Sequence, residues 1–402
     1  MIGYGAVAAY LESSTKSGKS KLSGMSITDP KARCSAFPPI TTEDKLIADF
    51  TQTLRVHSRV LVGSGDDCAV LKHPDGNSVV STDVLVEGVH FRRDWMSLEQ
   101  IGRRAAAQNA ADIAAMGASA HSAVAAVTIP KDMGKADIHS LATGLACGLE
   151  SYGYALVGGD LSSGPCLQVA VTVIGDLQGR APLLRSGAKA GDLVYFAGNL
   201  GDSAAGLALL ERFGNPDSVK SVLPEELVQL AQEVISRYQV PVIPACLAAQ
   251  LAASGAHALM DISDGLSRDG AKIAAASGVV INLQTAKLAK YAQRLAGLAQ
   301  VLNRDSWDWV LGGGEDHGLL CSAPPGFSVP GFTPIGEVVA SPGTGKSLGS
   351  TNGFESVDID DTSFCAKNGD IGSQDEGAFL LVDGKNSYQS GWDHFASENK
   401  AS

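Results

Sequence analysis

The feature that most limits how this chain can fold is a set of acidic turns, each flanked by glycine and each placed where a strand-like run ends. In the stretch from Val62 to Phe91, Asp66 and Asp67 are adjacent and follow Gly63 and Gly65, and Asp83 closes the run Ser78-Val79-Val80-Ser81-Thr82. Neighbouring carboxylates repel. Water screens that repulsion, and a divalent cation turns it to use, because Mg2+ takes a few carboxylates together with substrate phosphates. The stretch reads as the first wall of a magnesium and nucleotide site. The pattern returns in ALVGGD, where a strand from Ala155 to Asp160 is expected to end in a tight turn. It returns in HALMDISDG, where a strand from His257 to Met260 delivers Asp261, Ser263 and Asp264, and in WVLGGGEDHGLL, where Glu315 and Asp316 follow three glycines. One such turn is ordinary. Their recurrence in both halves of the chain calls for a fold that gathers strand ends into one composite cleft.

Between these turns strand and helix alternate. The run LEQIGRRAAAQNAADIAAMGASA, Leu98 to Ala120, is an alanine-rich helix that Gly117 ends. Asn109 and Asp112 lie three apart on a face otherwise made of Ala, Ile and Met. Asp112 is there either a solvated helix acid or one side of a site. Further strands are expected at 123–129, 167–177, 193–197 and 378–382, and helices at 136–152, 204–213, 225–238, 245–253 and from about Leu266. This alternation gives an α/β or α+β layer architecture. The Gly-, Pro- and Arg-containing stretch RAPLLRSGAKAGD separates an N-terminal domain, 41–178, from a C-terminal domain, 179–402, with a long loop at 341–377. Residues 1–40 read as a mobile extension within which Met25 offers an alternative start, and a helix is expected from Thr42.

Several residues carry two readings at this level. Asp264 is a helix N-cap or a metal ligand beside a helix N-terminus, whereas capping gives no reason for a second acid at Asp261. Gly-Gly-Asp is a phosphate-approaching turn or a plain one. Arg185 and Lys189 decorate a linker or meet a phosphate. His90 is structural or functional, and Trp392 is core or binding platform.

Composition excludes other classes. A net charge of −12 with no basic stripe argues against nucleic-acid and anionic-membrane binding. Seven scattered cysteines without a C-x-x-C pair fit reduced thiols, no apolar run reaches membrane-span length, and the expected location is the cytoplasm. GTGKS at 343–347 has Ala340 where a phosphate loop needs glycine. Many acids and few bases suit metal-assisted phosphoryl transfer.

The segments GDDCAVL, STDVLVEGVHF, QNAADIAAMGA, VGGDLSSGP, LLRSGAKAGD, GDSAAGL, DISDGLSRD, GGGEDHGLL and GWDHF resemble the thiamine-monophosphate kinase family, within the superfamily that includes aminoimidazole ribonucleotide synthetase. The likeness covers 42–339 and 378–395. It implies a two-domain fold, an N-terminal mixed sheet with helices plus a C-terminal α/β sandwich. It implies ATP-dependent phosphorylation of thiamine monophosphate with several Mg2+ ions in a homodimer joined through the N-terminal domains. Carried onto this sequence, the metal ligands would be Asp67, Ser81, Thr82, Asp83, Asp112, Asp160, Asp261 and Asp264, with Asp83, Asp112 and Asp261 central to catalysis. ATP would meet Tyr152, Gly159, Asp160, Arg185 and Ser263, and the thiamine moiety His90, Glu315 and Trp392. His317 departs from the family, where an aromatic residue is commoner. Two alternatives remain at this level: another ATP-using member of the superfamily, and a nucleotide-binding maturation factor without turnover.

Overall fold

In the computed structural model, the residues described are 60–62, 70–73, 76–341 and 379–386. Contacts divide the chain between Lys45 and Leu46, and every described residue lies in the second unit. The expected extension at 1–40, the helix from Thr42, Asp66, Asp67, the 341–377 loop beyond Ser341 and the GWDHF segment fall outside the described residues.

Short strands β1 (Val60–Val62) and β2 (Val70–Leu71) pair antiparallel. A four-stranded sheet follows, built from β3 (Val79–Val86), β4 (Ser119–Ile129), β5 (Ala155–Ser163) and β6 (Gln168–Asp176) in the order β3-β6-β4-β5. Burial alternates residue by residue along most of β3 and β6, so each strand has a more buried and a more solvated face. Two helices cover the buried face: α1 (Leu98–Ala115) and α2 (Lys135–Ser151). Ser97 opens α1 with a reciprocal capping box to Gln100. The two helices approach closely enough that a Cβ on Gly144 would lie 2.0 Å from the Glu99 carbonyl oxygen. Ile101, Ala105, Leu141, Leu145, Val169, Val171 and Val173 fill the space between helices and sheet. The other face carries exposed Val80 and Val84.

The parallel β4–β5 pair corrects one expectation. ALVGGD does not end in a turn: β5 runs on through Gly158, Gly159 and Asp160 to Ser163 at the sheet edge. Gly159 is required there by proximity, since a Cβ would stand 2.0 Å from the Ala125 carbonyl oxygen on β4.

The second sheet contains β7 (Leu193–Ala197), β8 (Ala258–Asp261), β9 (Val279–Leu283), β10 (Leu319–Ala323), β11 (Thr333–Ala340), β12 (Leu380–Val382) and β13 (Lys385–Asn386), in the order β13-β12-β9-β11-β7-β10-β8. Around it lie α3 (Asp202–Phe213), α4 (Pro216–Val222), α5 (Glu225–Gln239), α6 (Ala248–Ala253), α7 (Leu266–Ser277), α8 (Thr285–Val301) and α9 (Ser306–Gly312). Phe196, Leu209, Val234, Met260, Leu295 and Leu320 are among the fully covered residues of this core. Because Asp261, the last residue of β8, pairs with Leu319, the first of β10, the DISDG turn and the GGGEDHG loop emerge at the same sheet end. They are tied there by the Glu315 N–H to the Ser263 carbonyl and the His317 N–H to the Ile262 carbonyl, both 2.9 Å.

Candidate active site

Alternation along β3 aims Ser81 and Asp83 at α1. Ser81 Oγ donates to Asp112 Oδ2 at 2.5 Å, and the Asp83 N–H donates to Asn109 Oδ1 at 3.2 Å. Asn109 is itself held by its donation to the Ala105 carbonyl at 2.9 Å. Asp112 is thus partly buried against the strand, which rules out the solvated-helix reading. Thr82 points the opposite way, its hydroxyl donating to the Val171 carbonyl at 3.2 Å and accepting from Thr172 at 2.9 Å, so only its backbone faces the acids.

Asp261 meets these residues from the other sheet. Burial pushes the Asp83 carboxyl up, a hydrogen bond from Gln108 and the His317 charge pull it back, and the charges of Asp261 and Glu315 add to the rise. Asp112 is pushed up to about 6, by burial first and then by the charges of Asp261 and Asp83. Three acids far apart in sequence therefore share one low-dielectric region. Asp261 is buried and accepts from His317 Nδ1 at 3.1 Å. Burial opposes the charge on His317, but the hydrogen bonds and charges of Asp261 and Glu315 prevail and hold its pKa at about 10.

In the DISDG turn, Asp264 is not the cap of α7. Gly265 takes that place with φ 115°, and its close approach to the Gly312 carbonyl leaves no room for a side chain. The turn is shaped by Asp269, fully buried one helical turn later, whose Oδ2 accepts the N–H groups of Ser263, Asp264 and Gly265 at 2.9, 2.9 and 3.1 Å. Lys272 Nζ bridges Asp264 Oδ2 at 2.5 Å and Asp269 Oδ1 at 2.8 Å. Asp316 likewise serves the fold: it turns away from Glu315 and accepts the N–H groups of Gly201 and Ser203 at the start of α3, at 2.5 and 2.8 Å. Burial, then the charge of Asp202, pushes its carboxyl up to about 8.

Beside the acids opens a cavity of 360 Å³ whose lining includes His90, Arg92, Trp95, Arg104, Tyr238 and Glu315. The Val86 N–H donates to His90 Nδ1 at 3.0 Å, which leaves the ring proton of the neutral imidazole on Nε2. The rings of Trp95 and Tyr238 meet edge to face at 6.2 Å, and the Arg92 guanidinium lies 4.7 Å from the Trp95 ring. Glu315 and His317 both hold left-handed backbone, φ 67° and 50°, so the loop that presents them is strained where the acids converge.

The remaining expected residues stand elsewhere. Tyr152 lines a separate cavity of 320 Å³ with Tyr154, Ile243 and Cys246. Asp160 is exposed on β5 and accepts from Ser162 Oγ at 2.9 Å. Arg185 is exposed in a 3-10 turn, its carbonyl accepting from Ser277 Oγ at 2.8 Å. Asp67 and Trp392 lie outside the described residues. Sequence reasoning missed Arg104, Trp95, Tyr238, Asp269 and Lys272. For Arg104 a signal existed: Arg104, Gln108 and Asp112 follow at intervals of four and form one polar stripe on an alanine helix.

Among the described residues no three His, Cys, Asp or Glu side chains form a ready metal cluster. Clustered hard oxygen donors, among them Asp83 and Asp112 whose carboxyls are pushed up by burial and then by neighbouring charges, nevertheless fit Mg2+, which draws much of its coordination from water and phosphate.

The residues 65–177 match a family model described as AIR synthase related protein, N-terminal domain, which places a domain of that class around the first sheet. The chain is 44% identical over 294 residues to thiamine-monophosphate kinase of Mycobacterium tuberculosis (strain CDC 1551 / Oshkosh), covering 72% of this chain and 82% of that one. It is 43% identical over 278 residues to thiamine-monophosphate kinase of Corynebacterium glutamicum, covering 68% and 81%. The chain belongs to the thiamine-monophosphate kinase family. A solved structure described as AaThiL complexed with AMPPCP and TMP superposes with a TM-score of 0.63 at 27% identity, over 82% of this chain and 91% of that one. Among the described residues no helix is long and apolar enough to cross a membrane.

Proposed function

We propose that this kinase transfers the terminal phosphoryl group of ATP directly and in line to the phosphate of thiamine monophosphate, giving thiamine diphosphate. The observation that carries the reading is the convergence of Asp83, Asp112 and Asp261 on one partly buried region. A relative of the same fold is described with AMPPCP, an ATP analogue, and TMP. Mg2+ would be held by these acids with Ser81, the Thr82 backbone, Asp67, Asp160 and Asp264, and would supply charge neutralisation between the two polyanions. Ser81 and Asn109 fix the acids before substrate arrives. The acceptor phosphate is largely deprotonated at neutral pH, so no general base is needed. That agrees with His317, whose raised pKa of about 10 favours the form protonated at both ring nitrogens, with no acceptor to offer. Tyr152, Gly159, Asp160, Arg185 and Ser263 are assigned to ATP. His90, Glu315 and Trp392 are assigned to the thiamine moiety, whose cationic thiazolium suits a pocket of carboxylate and aromatic rings.

The division into 41–178 for Mg2+, ATP and dimerisation and 179–402 for completing the site is part of this reading. It is supported by the separation of the two sheets. The exposed Val80 and Val84 support a homodimer through the first sheet, and the scattered cysteines support a cytoplasmic protein. A coupled assay of ADP release with thiamine monophosphate, run beside formylglycinamidine ribonucleotide, tests the activity. Asp83→Asn should lower the rate at least about 100-fold without loss of fold. An undiminished rate in that variant, no release that depends on thiamine monophosphate, or a trapped phosphoenzyme would each overturn the proposal.

A further inference from the structure

Arg104 is a buried cation in the middle of an alanine-rich helix, its side chain 2% exposed. Charge is not placed there cheaply, because a guanidinium removed from water needs partners for its whole donor fork. Two partners are present. Nη2 donates to Glu315 Oε2 at 2.6 Å, and Nη1 donates to the Tyr238 carbonyl oxygen. The guanidinium also lies 4.8 Å from the centre of the Tyr238 ring, while Nε has no hydrogen-bond partner among the described residues. One side chain on α1 thus grips a residue of α5 and a residue of the 313–318 loop.

All three residues line the 360 Å³ cavity. Glu315 is the one whose charge would face a cationic ligand, and its side chain keeps 28% of its surface. Two cations approach the same oxygen of Glu315, Oε2: Arg104, and His317 Nε2 at 3.8 Å. We propose that Arg104 is a positioning residue for the cationic thiazolium portion of the acceptor: it fixes the Glu315 carboxylate and the Tyr238 ring as two walls of the pocket. This rests on the reading of that cavity as the thiamine pocket.

Burial alone pushes the Glu315 carboxyl up, and the Arg104 charge, with His317 and His90, outweighs burial and holds it down to about 2. Loss of Arg104 therefore loosens the carboxylate and weakens its ionisation together. A methionine at 104 keeps the bulk and removes the charge. A lysine keeps the charge but cannot span both acceptors or lie flat against the ring.

The test is steady-state kinetics on the full chain with both substrates varied, alongside calorimetric titration of thiamine monophosphate without nucleotide. Arg104→Met should raise KM for thiamine monophosphate about 30-fold and leave KM for ATP within about 2-fold. Arg104→Lys should raise the former about 5-fold, and it serves as the readout if the methionine variant does not fold. In a Glu315→Gln background, Arg104→Met should add less than about 2-fold, because both changes remove one interaction. The proposal is overturned by an Arg104→Met effect shared equally between the two substrates, by full additivity with Glu315→Gln, or by an unchanged KM in Arg104→Lys. If Glu315→Gln alone leaves thiamine monophosphate binding unchanged, the pocket assignment itself fails.

Discussion

Asp112→Asn should stabilise the metal-free protein at neutral pH while abolishing turnover. The Asp112 carboxyl is pushed from 3.8 to about 6 by burial and by the charges of Asp261 and Asp83. A rise of roughly two units at about 1.4 kcal/mol each means that the charged form carries about 3 kcal/mol of unfavourable energy in the folded state. Asparagine removes the charge, keeps an oxygen to accept from Ser81 Oγ, and offers an amide to the neighbouring carboxylates. A gain of about 1–3 kcal/mol follows, a few degrees in Tm. The sign follows from a folded-state pKa above the unfolded one. Below pH 3.8 the carboxyl is protonated in both states and the cost is absent; it grows as pH rises and is complete above about 6. Urea unfolding with a chelator present should thus show the variant ahead at pH 7.5 and equal to the parent near pH 3.5. Added Mg2+ and nucleotide should reverse the order at pH 7.5, because only the parent gains binding energy. If the variant is less stable at pH 7.5 in chelator, or its gain is the same at both pH values, the cost of charge inferred for Asp112 from burial and neighbouring acids is wrong.

Gly159→Ala forces a Cβ to 2.0 Å from the Ala125 carbonyl oxygen and should cost about 2 kcal/mol, with faster hydrogen exchange confined to β5. Asp269→Ala strips three backbone N–H groups and Lys272 of their acceptor; a loss of about 3 kcal/mol and a raised KM for ATP are expected from unfolding and kinetic measurements. Trp95→Ala removes one aromatic wall of the 360 Å³ cavity and should weaken thiamine monophosphate binding about 10-fold by calorimetry, with ATP binding unchanged.

The layer architecture and the meeting of Asp83, Asp112 and Asp261 were legible because strand alternation and helix spacing are local signals, and because charge in an apolar setting demands a cause. The Gly-Gly-Asp segment misled for a physical reason. Two glycines permit a turn, but they equally permit an edge strand to approach its neighbour more closely than a side chain allows, and only the Ala125 backbone distinguishes the two. Asp264 was ambiguous because its capping role depends on where α7 begins, and Asp269 settles that from within the helix. Sequence position gives no hint that this inward-turned acid is buried. Trp95 and Tyr238 are separated by more than a hundred residues, so their shared cavity exists only after both sheets have docked. The strand β9 went unread for a related cause: it lies in the interior of the second sheet, almost wholly buried, and lacks the alternation that marks β3.

The charges around the cleft are divided in a way that bears on how it works. On the side contributed by the second sheet, the three acids that face the cleft have internal cations: His317 for Asp261, Arg104 and His317 for Glu315, and Lys272 for Asp264. On the side contributed by β3 and α1, Asp83 and Asp112 are steadied by Gln108, Asn109 and Ser81, which are all neutral. Neutral groups hold an acidic residue in place without cancelling its charge. The negative potential is therefore concentrated on one wall, opposite a wall already balanced. An arriving cation gains most at Asp83 and Asp112, and it must displace Lys272 before it can use Asp264. Ligation should accordingly be stepwise: the first metal is drawn to the strand and helix acids at low concentration, and Asp264 joins only when a phosphate group is present to receive the Lys272 ammonium.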